Sequence, residues 1–180
     1  MGRPKASLPL PGGRTMIETV AETLAAVCRA VVIVGSADPA IEGPSLRQIA
    51  DLRPGEGPLA GIEALLASGL DTEYLVCPCD VPLVTAGLLE RLTAPCGSLA
   101  TVLRIGHEDA FRPLPARLSA ASLDRARAQL DRHERAVHAF IQSIGPYVVE
   151  IPREAADQLL NANTPAEYEA LVKEGTRDES

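Results

Sequence analysis

Apolar residues along this chain follow two rhythms, helical spacing in some stretches and short unbroken runs in others, and the alternation lays out the expected elements. Ile17, Val20, Ala21, Leu24 and Val27 recur at helical spacing. Thr15 precedes them with Glu18 three residues on, a capping-box arrangement that predicts the helix start. Ala30-Val31-Val32-Ile33-Val34 is a β-branched run ended by Gly35 and predicts a buried strand. A loop marked by Pro39, Gly43 and Pro44 leads to a short strand expected over Leu46 to Ile49. Asp51 to Pro58 is rich in turn formers, and Gly57-Pro58 opens a predicted helix through Ala67. Tyr74 to Cys77 is the next strand, with Cys79-Asp80-Val81-Pro82 at its carboxyl end, and Thr85 is placed to cap a helix carrying Leu88, Leu89 and Leu92. Further on, a strand is expected over Ser98 to Leu103, and a short strand or loop over Phe111 to Pro115. Helices are expected over Leu118 to Leu130 and Glu134 to Ile141, and a strand over Tyr147 to Ile151. A short helix over Glu154 to Leu160 and a last one over Pro165 to Val172 precede a frayed tail, residues 175–180.

This order predicts one three-layer α/β/α domain over residues 1–174, with a mostly parallel sheet between helices. Composition agrees: 46% of residues are apolar but only 3% aromatic, so the core is built from Leu, Val, Ile and Ala. A net charge of −7 argues against coating nucleic acid or an anionic membrane, and leaves room for a small anionic ligand met by local donors. No run approaches the roughly 18 apolar residues of a membrane span. Met1-Gly2-Arg3-Pro4-Lys5 is not followed by an apolar stretch, so no signal peptide is expected. Cys28, Cys77, Cys79 and Cys96 read as free, mostly buried thiols suited to a reducing cytoplasm. Their spacing to one another and to His107, His133 and His138 does not recommend a zinc site, and no Ser, His and Asp combination suggests a triad.

Ligands of doubly wound sheets bind beyond the carboxyl ends of the strands. Asp80 lies at such an end, where a carboxylate can hold Mg²⁺ beside phosphates or cap the turn made by Val81-Pro82. Asp51 can meet a hydroxyl, a base edge or metal-bound water, or act as a turn residue. Lys5 and Arg3 can reach phosphate oxygens or form an exposed basic terminus. Gly55, Gly57 and Gly61 permit close backbone approach to a flat base, although the segment is neither a Walker A loop nor a dinucleotide fingerprint. Asn161-Ala162-Asn163-Thr164-Pro165 is explained by capping alone, with Glu167 completing a second box.

Taken together and in order, these segments resemble the molybdenum cofactor guanylyltransferases. Met1-Gly2-Arg3-Pro4-Lys5 through Gly12-Gly13-Arg14 is similar to the end of that family's signature. Gly57-Pro58-Leu59-Ala60-Gly61-Ile62 resembles its central nucleotide segment, Cys77-Pro78-Cys79-Asp80-Val81-Pro82 its metal-bearing strand end, and Asn161 to Pro165 its C-terminal motif. The resemblance implies a Rossmann-like nucleotidyltransferase that takes GTP, Mg²⁺ and molybdopterin. Molybdopterin's terminal phosphate would attack the α-phosphorus of GTP and release pyrophosphate. It further implies catalytic roles for Lys5 and Asp80, Asp80 as the Mg²⁺ ligand, and nucleotide contacts at Lys5, Asp51, Gly57, Pro58, Leu59, Gly61 and Asp80. Arg112, Pro113, Asn161 and Asn163 would border the pterin side, and molybdoenzyme maturation proteins would be partners. Family members begin with an apolar strand and a Leu-Ala-Gly-Gly loop before the Met-Gly, so the sheet is expected to lack that strand and the reading frame to begin upstream of Met1. Pro4 stands where an acidic residue is usual, while Cys77-Pro78-Cys79-Asp80 favours the guanylyl branch. The alternatives are a related transferase using CTP or a sugar phosphate, and a non-enzymatic paralogue.

Overall fold

A computed structural model describes residues 13–35, 46–94, 97–162, 164 and 166–170. The first helix, α1 (Met16–Ala25), starts at the box read from the sequence: the Thr15 hydroxyl accepts from the Glu18 N–H at 3.3 Å, and the Thr15 N–H donates to Glu18 Oε2 at 2.7 Å. Its buried stripe is Met16, Val20 and Ala21. Two three-residue strands follow, β1 (Val32–Val34) and β2 (Arg47–Ile49), paired in parallel with Val32 opposite Arg47. Next come α2 (Pro58–Leu66), β3 (Glu73–Val76) and α3 (Ala86–Glu90), the last capped by the Thr85 hydroxyl. β4 (Ala100–Ile105) and β5 (Arg112–Ser119) lead to α4 (Leu123–Asp131), α5 (Val137–Ser143) and β6 (Tyr147–Ile151). A 3-10 segment, Arg153–Leu159, and a helical stretch over 166–170 close the described chain.

The layers follow from side-chain alternation. Along β4, Ala100 and Val102 enter one apolar cluster while Leu103 and Ile105 enter another, as period-two geometry requires. The first cluster lies under α2, α4 and α5 and includes Leu59, Ile62, Leu118, Leu130 and Phe140. The second gathers Val84, Leu88, Leu89 and Leu92 with Leu24 and Val27 of α1 and the segment just beyond it. Helices therefore cover both faces, the α/β/α arrangement expected. The sheet is mixed rather than mostly parallel: β1–β2 and β4–β6 pair in parallel, but β5 runs antiparallel to both β3 and β4. The cause is the short turn from Gly106 to Phe111, which returns the chain beside β4 without a crossover helix.

Two of the boundaries that differ from the sequence reading have a visible cause. Leu118, expected to open a helix, is a fully buried strand residue, and β5 extends to Ser119. Ala116 and Leu118 alternate into the core while Arg117 projects the other way, donating to Thr101 Oγ1 at 3.1 Å and to the Ser98 carbonyl at 2.6 Å. Helix α5 starts at Val137 rather than Glu134, because Gln129 Nε2 binds the Glu134 and Ala136 carbonyls at 3.2 and 3.0 Å and holds that stretch extended.

The strands form two separate ladders, β1–β2 and β3–β5–β4–β6. Among the described residues no strand lies between β1 and β3. Their facing edges, with α1 and α2, instead border a cavity of about 1650 Å³ lined by Val32, Val34, Leu75, Val20, Leu24 and Ile62 among others. No described helix is long and apolar enough to cross a membrane.

Candidate active site

The cavity runs to the carboxyl ends of β1, β2 and β3, and there its lining turns polar. The backbone leaves β1 at Gly35, with φ of +116°, and the Gly35 N–H still donates to the Ile49 carbonyl at 3.0 Å. Immediately after β2 comes Asp51. Its carboxylate sits between two glycines: a Cβ placed on Gly61 would lie 3.6 Å from Asp51 Oδ1, and one on Gly35 would lie 3.9 Å from Oδ2. Asp51 Oδ1 is buried with no hydrogen-bond partner, yet the residue lines the cavity. An unmatched buried carboxylate oxygen costs about 1–3 kcal/mol, a cost the fold bears at the wall of this cavity.

Gly55, Gly57, Pro58 and Gly61 line the same cavity. Gly57, at φ +81° and ψ −169°, is the N-cap of α2 in a conformation that needs glycine, and no side chain caps the helix there. In the first turn of α2 Pro58 carries no N–H and the Ala60 N–H donates to the Gly57 carbonyl at 3.1 Å, so the Leu59 N–H is the donor that no side chain caps. Leu59 is different: it is fully buried and packs with Ile62 in the core beneath.

Asp80 is half-buried two residues beyond Pro78 and lines the cavity with Cys77 and Cys79. Its carbonyl accepts from the Ala162 N–H at 2.7 Å, which fastens the C-terminal motif to the end of β3. Ala162 packs on Met16 at the start of α1, so three distant segments meet beside the backbone of Asp80. Burial, with the charges of Cys79 and Asp80, pushes the Cys77 thiol up to about 12, and burial with Asp80 raises Cys79 also. Both thiols stay protonated near neutral pH and supply no thiolate nucleophile.

The remaining expected positions are scattered. Asn161 is exposed beside Ala162 and does not line the cavity. Arg112 and Pro113 begin β5, outside the lining, where Arg112 pairs with Glu108 at 3.2 Å. Lys5, Arg3, Cys96 and Asn163 lie outside the described residues. His138 stacks on Phe111 with centroids 4.5 Å apart, and His133 adopts a left-handed turn conformation. Sequence reasoning did not find Glu63, a carboxylate only 2% exposed in α2. Its signal was available: 63 falls on the stripe 59, 62, 63, 66 that otherwise carries Leu, Ile and Leu.

Comparison with known proteins bears on the family and the fold. The "Molybdenum cofactor guanylyltransferase" of Xanthomonas euvesicatoria is 29% identical over 177 residues, covering 97% of this chain and 88% of that one. The "Probable molybdenum cofactor guanylyltransferase" of Opitutus terrae is 32% identical over 178 residues, covering 92% and 85%. Among solved structures, the molybdopterin-guanine dinucleotide biosynthesis protein A of Archaeoglobus fulgidus superposes with a TM-score of 0.72 at 22% identity, over 98% of this chain and 92% of that one. The 2-C-methyl-D-erythritol 4-phosphate cytidylyltransferase of Thermus thermophilus shares the fold at a TM-score of 0.67 and 21% identity, covering 98% and 95%. Residues 1–147 match the MobA-like NTP transferase domain, and the chain belongs to that family, whose chemistry is nucleotidyl transfer.

Proposed function

We propose that the protein transfers GMP from GTP to molybdopterin and releases pyrophosphate. The observation that carries this reading is the pair of carboxylates, Asp51 and Asp80, on one cavity at the strand ends, the first with an oxygen left unmatched. Guanine offers two neighbouring donors on one edge, N1–H and the 2-amino group, to an acceptor-only carboxylate. Cytosine sets its amino donor beside the N3 acceptor, which the same carboxylate repels. Asp51 therefore favours guanine, with Gly57, Pro58 and Gly61 letting the base approach the backbone.

Asp80 is the residue to hold Mg²⁺. No three described His, Cys, Asp or Glu side chains gather into a metal-holding cluster, so the described residues build no cage of their own. One carboxylate suits the other arrangement, in which phosphate oxygens and water complete the shell. When held by Asp80, Mg²⁺ would supply charge neutralisation for the triphosphate. Lys5 adds positive charge to the phosphates. The acceptor, a phosphate monoester, is already largely ionised near neutral pH, so the protein need not deprotonate it. A bond forms from an acceptor oxygen to the α-phosphorus, the bond to the bridging oxygen of the β-phosphate breaks, and pyrophosphate leaves with the electron pair. The chain's work is positioning and charge neutralisation.

Pyrophosphate release is followed with molybdopterin, Mg²⁺ and either GTP or CTP. Release with GTP that depends on molybdopterin is expected, as is a preference for GTP over CTP that falls about tenfold in Asp51→Asn. Equal use of CTP, or release indifferent to molybdopterin, contradicts the proposal.

A further inference from the structure

The loop between β2 and α2 has two sides. One side, at Gly55 and Gly57, borders the cavity; the other carries Arg53 and Glu56 toward the helical layer. Arg53 grips Glu63 of α2 with two parallel hydrogen bonds, Nε to Oε2 at 3.0 Å and Nη2 to Oε1 at 3.3 Å. Its third nitrogen, Nη1, reaches Asp131 of α4 at 2.7 Å. Arg127 of α4 approaches Glu63 Oε1 at 3.6 Å from the opposite helix. A second grip holds the same loop three residues on, where Arg135 binds both oxygens of Glu56 at 2.6 and 2.8 Å. Between the grips the chain turns through Gly55 at φ +83° and leaves through Gly57, with the Glu56 N–H donating to the Arg53 carbonyl at 3.2 Å.

Glu63 is the informative member. Placing a carboxylate in the helical layer is costly, and an apolar residue there would serve stability as well or better. What an apolar residue lacks is direction: a planar, bidentate guanidinium–carboxylate pair fixes the angle and distance between the groups it joins. Here it joins the loop to the helix that the loop caps. Asp131 and Arg127 then tie that unit to α4, which touches no part of the cavity.

We infer that Arg53 and Glu63 are positioning residues for the nucleotide: their clamp sets the height of the Gly55–Gly57 backbone over the cavity and the presentation of the first turn of α2 to the base. This rests on the nucleotidyltransferase reading, and it assigns nucleotide affinity to two side chains that face away from the ligand. Small displacements of positioning groups are costly, so the effect belongs in nucleotide binding.

Three proteins carry the test: the full chain, Glu63→Gln, and the double variant Arg53→Leu with Glu63→Leu. Measured are the Kd for a fluorescent GTP analogue, the KM for the pterin acceptor, thermal stability, and hydrogen exchange of the Glu56 amide without ligand. Glu63→Gln should weaken GTP binding about tenfold, leave the acceptor KM within about twofold, and speed exchange at Glu56. The double variant should regain thermal stability, since no charge is left buried alone, yet bind GTP as poorly as the single variant. Recovery of GTP affinity along with stability would reduce the clamp to a structural pair and overturn the inference. So would unchanged GTP affinity in Glu63→Gln, or unchanged exchange at Glu56. The exchange measurement needs no nucleotide, so it judges the clamp by itself. Absence of nucleotide binding by the unaltered chain overturns both the assigned role and the reading beneath it, whatever the exchange shows.

Discussion

The two ladders of the sheet differ in what surrounds them, and the difference separates what holds the fold from what meets the ligand. In the β3–β5–β4–β6 ladder the inner strands β4 and β5 are paired on both sides, and Ala100, Val102, Leu103, Ala116 and Leu118 are fully buried. β1 and β2 are three residues each, no residue of either is fully buried, and β1 borders the cavity. The long ladder supplies a rigid base whose β3 end presents Asp80. The short pair, with its following loop, places Asp51, Gly55 and Gly57 on the cavity. Polar lining of the cavity comes largely from the weakly packed side, where Asp51 Oδ1 is left unmatched.

The comparison breaks first on stability. Leu103→Ala should cost about 2–5 kcal/mol in denaturant unfolding, because it opens a void between fully packed neighbours. Ile33→Ala, on a half-buried strand beside an existing cavity, should cost about 1 kcal/mol or less. Equal losses would mean that the two ladders are equally packed.

Turnover sharpens it next. Asp80→Asn keeps the shape of the strand end and the backbone bond from Ala162, and removes the charge. Turnover should fall about 10²–10³-fold with the melting temperature unchanged. A parallel fall in melting temperature would make Asp80 a structural residue.

The smallest effect is on pH. The Cys77 thiol moves from an ordinary value of 9.0 up to about 12 on folding, chiefly through burial. A folded-state value above the unfolded one favours the native state fully below pH 9, and that contribution is lost as pH rises from about 9 toward about 12. Stability measured against pH should show this loss, and Cys77→Ala should remove it. Alkylation at pH 8 should leave Cys77 intact in the native protein and modify it after unfolding. Rapid native modification would mean that the end of β3 opens readily.

Much of this was legible in the sequence, for local reasons. Thr15 and Glu18 define the start of α1 by a local bond pattern, and the structure keeps both bonds. Asp80 could be singled out because it follows an apolar run and Asp51 because it opens a loop rich in Gly and Pro, and both line the cavity. β5 was shortened because Pro113 and Pro115 read as loop, and Leu118 then joined the helical rhythm beyond. Only pairing with β3 and β4 explains why 116 and 118 alternate instead. The ties of the Arg53–Glu63 pair to Asp131 and Arg127 were hidden for the same reason, since they arise from α4 docking against α2, a contact between segments far apart in the chain.

Hydrogen exchange of the full chain with and without GTP and Mg²⁺ tests most directly where the nucleotide sits. Slowed exchange should concentrate at residues 51–61 and 77–81, with β6 and α5 unchanged. Slowing concentrated at β6 and α5, or none at saturating GTP, would contradict a nucleotide site built on Asp51 and Asp80.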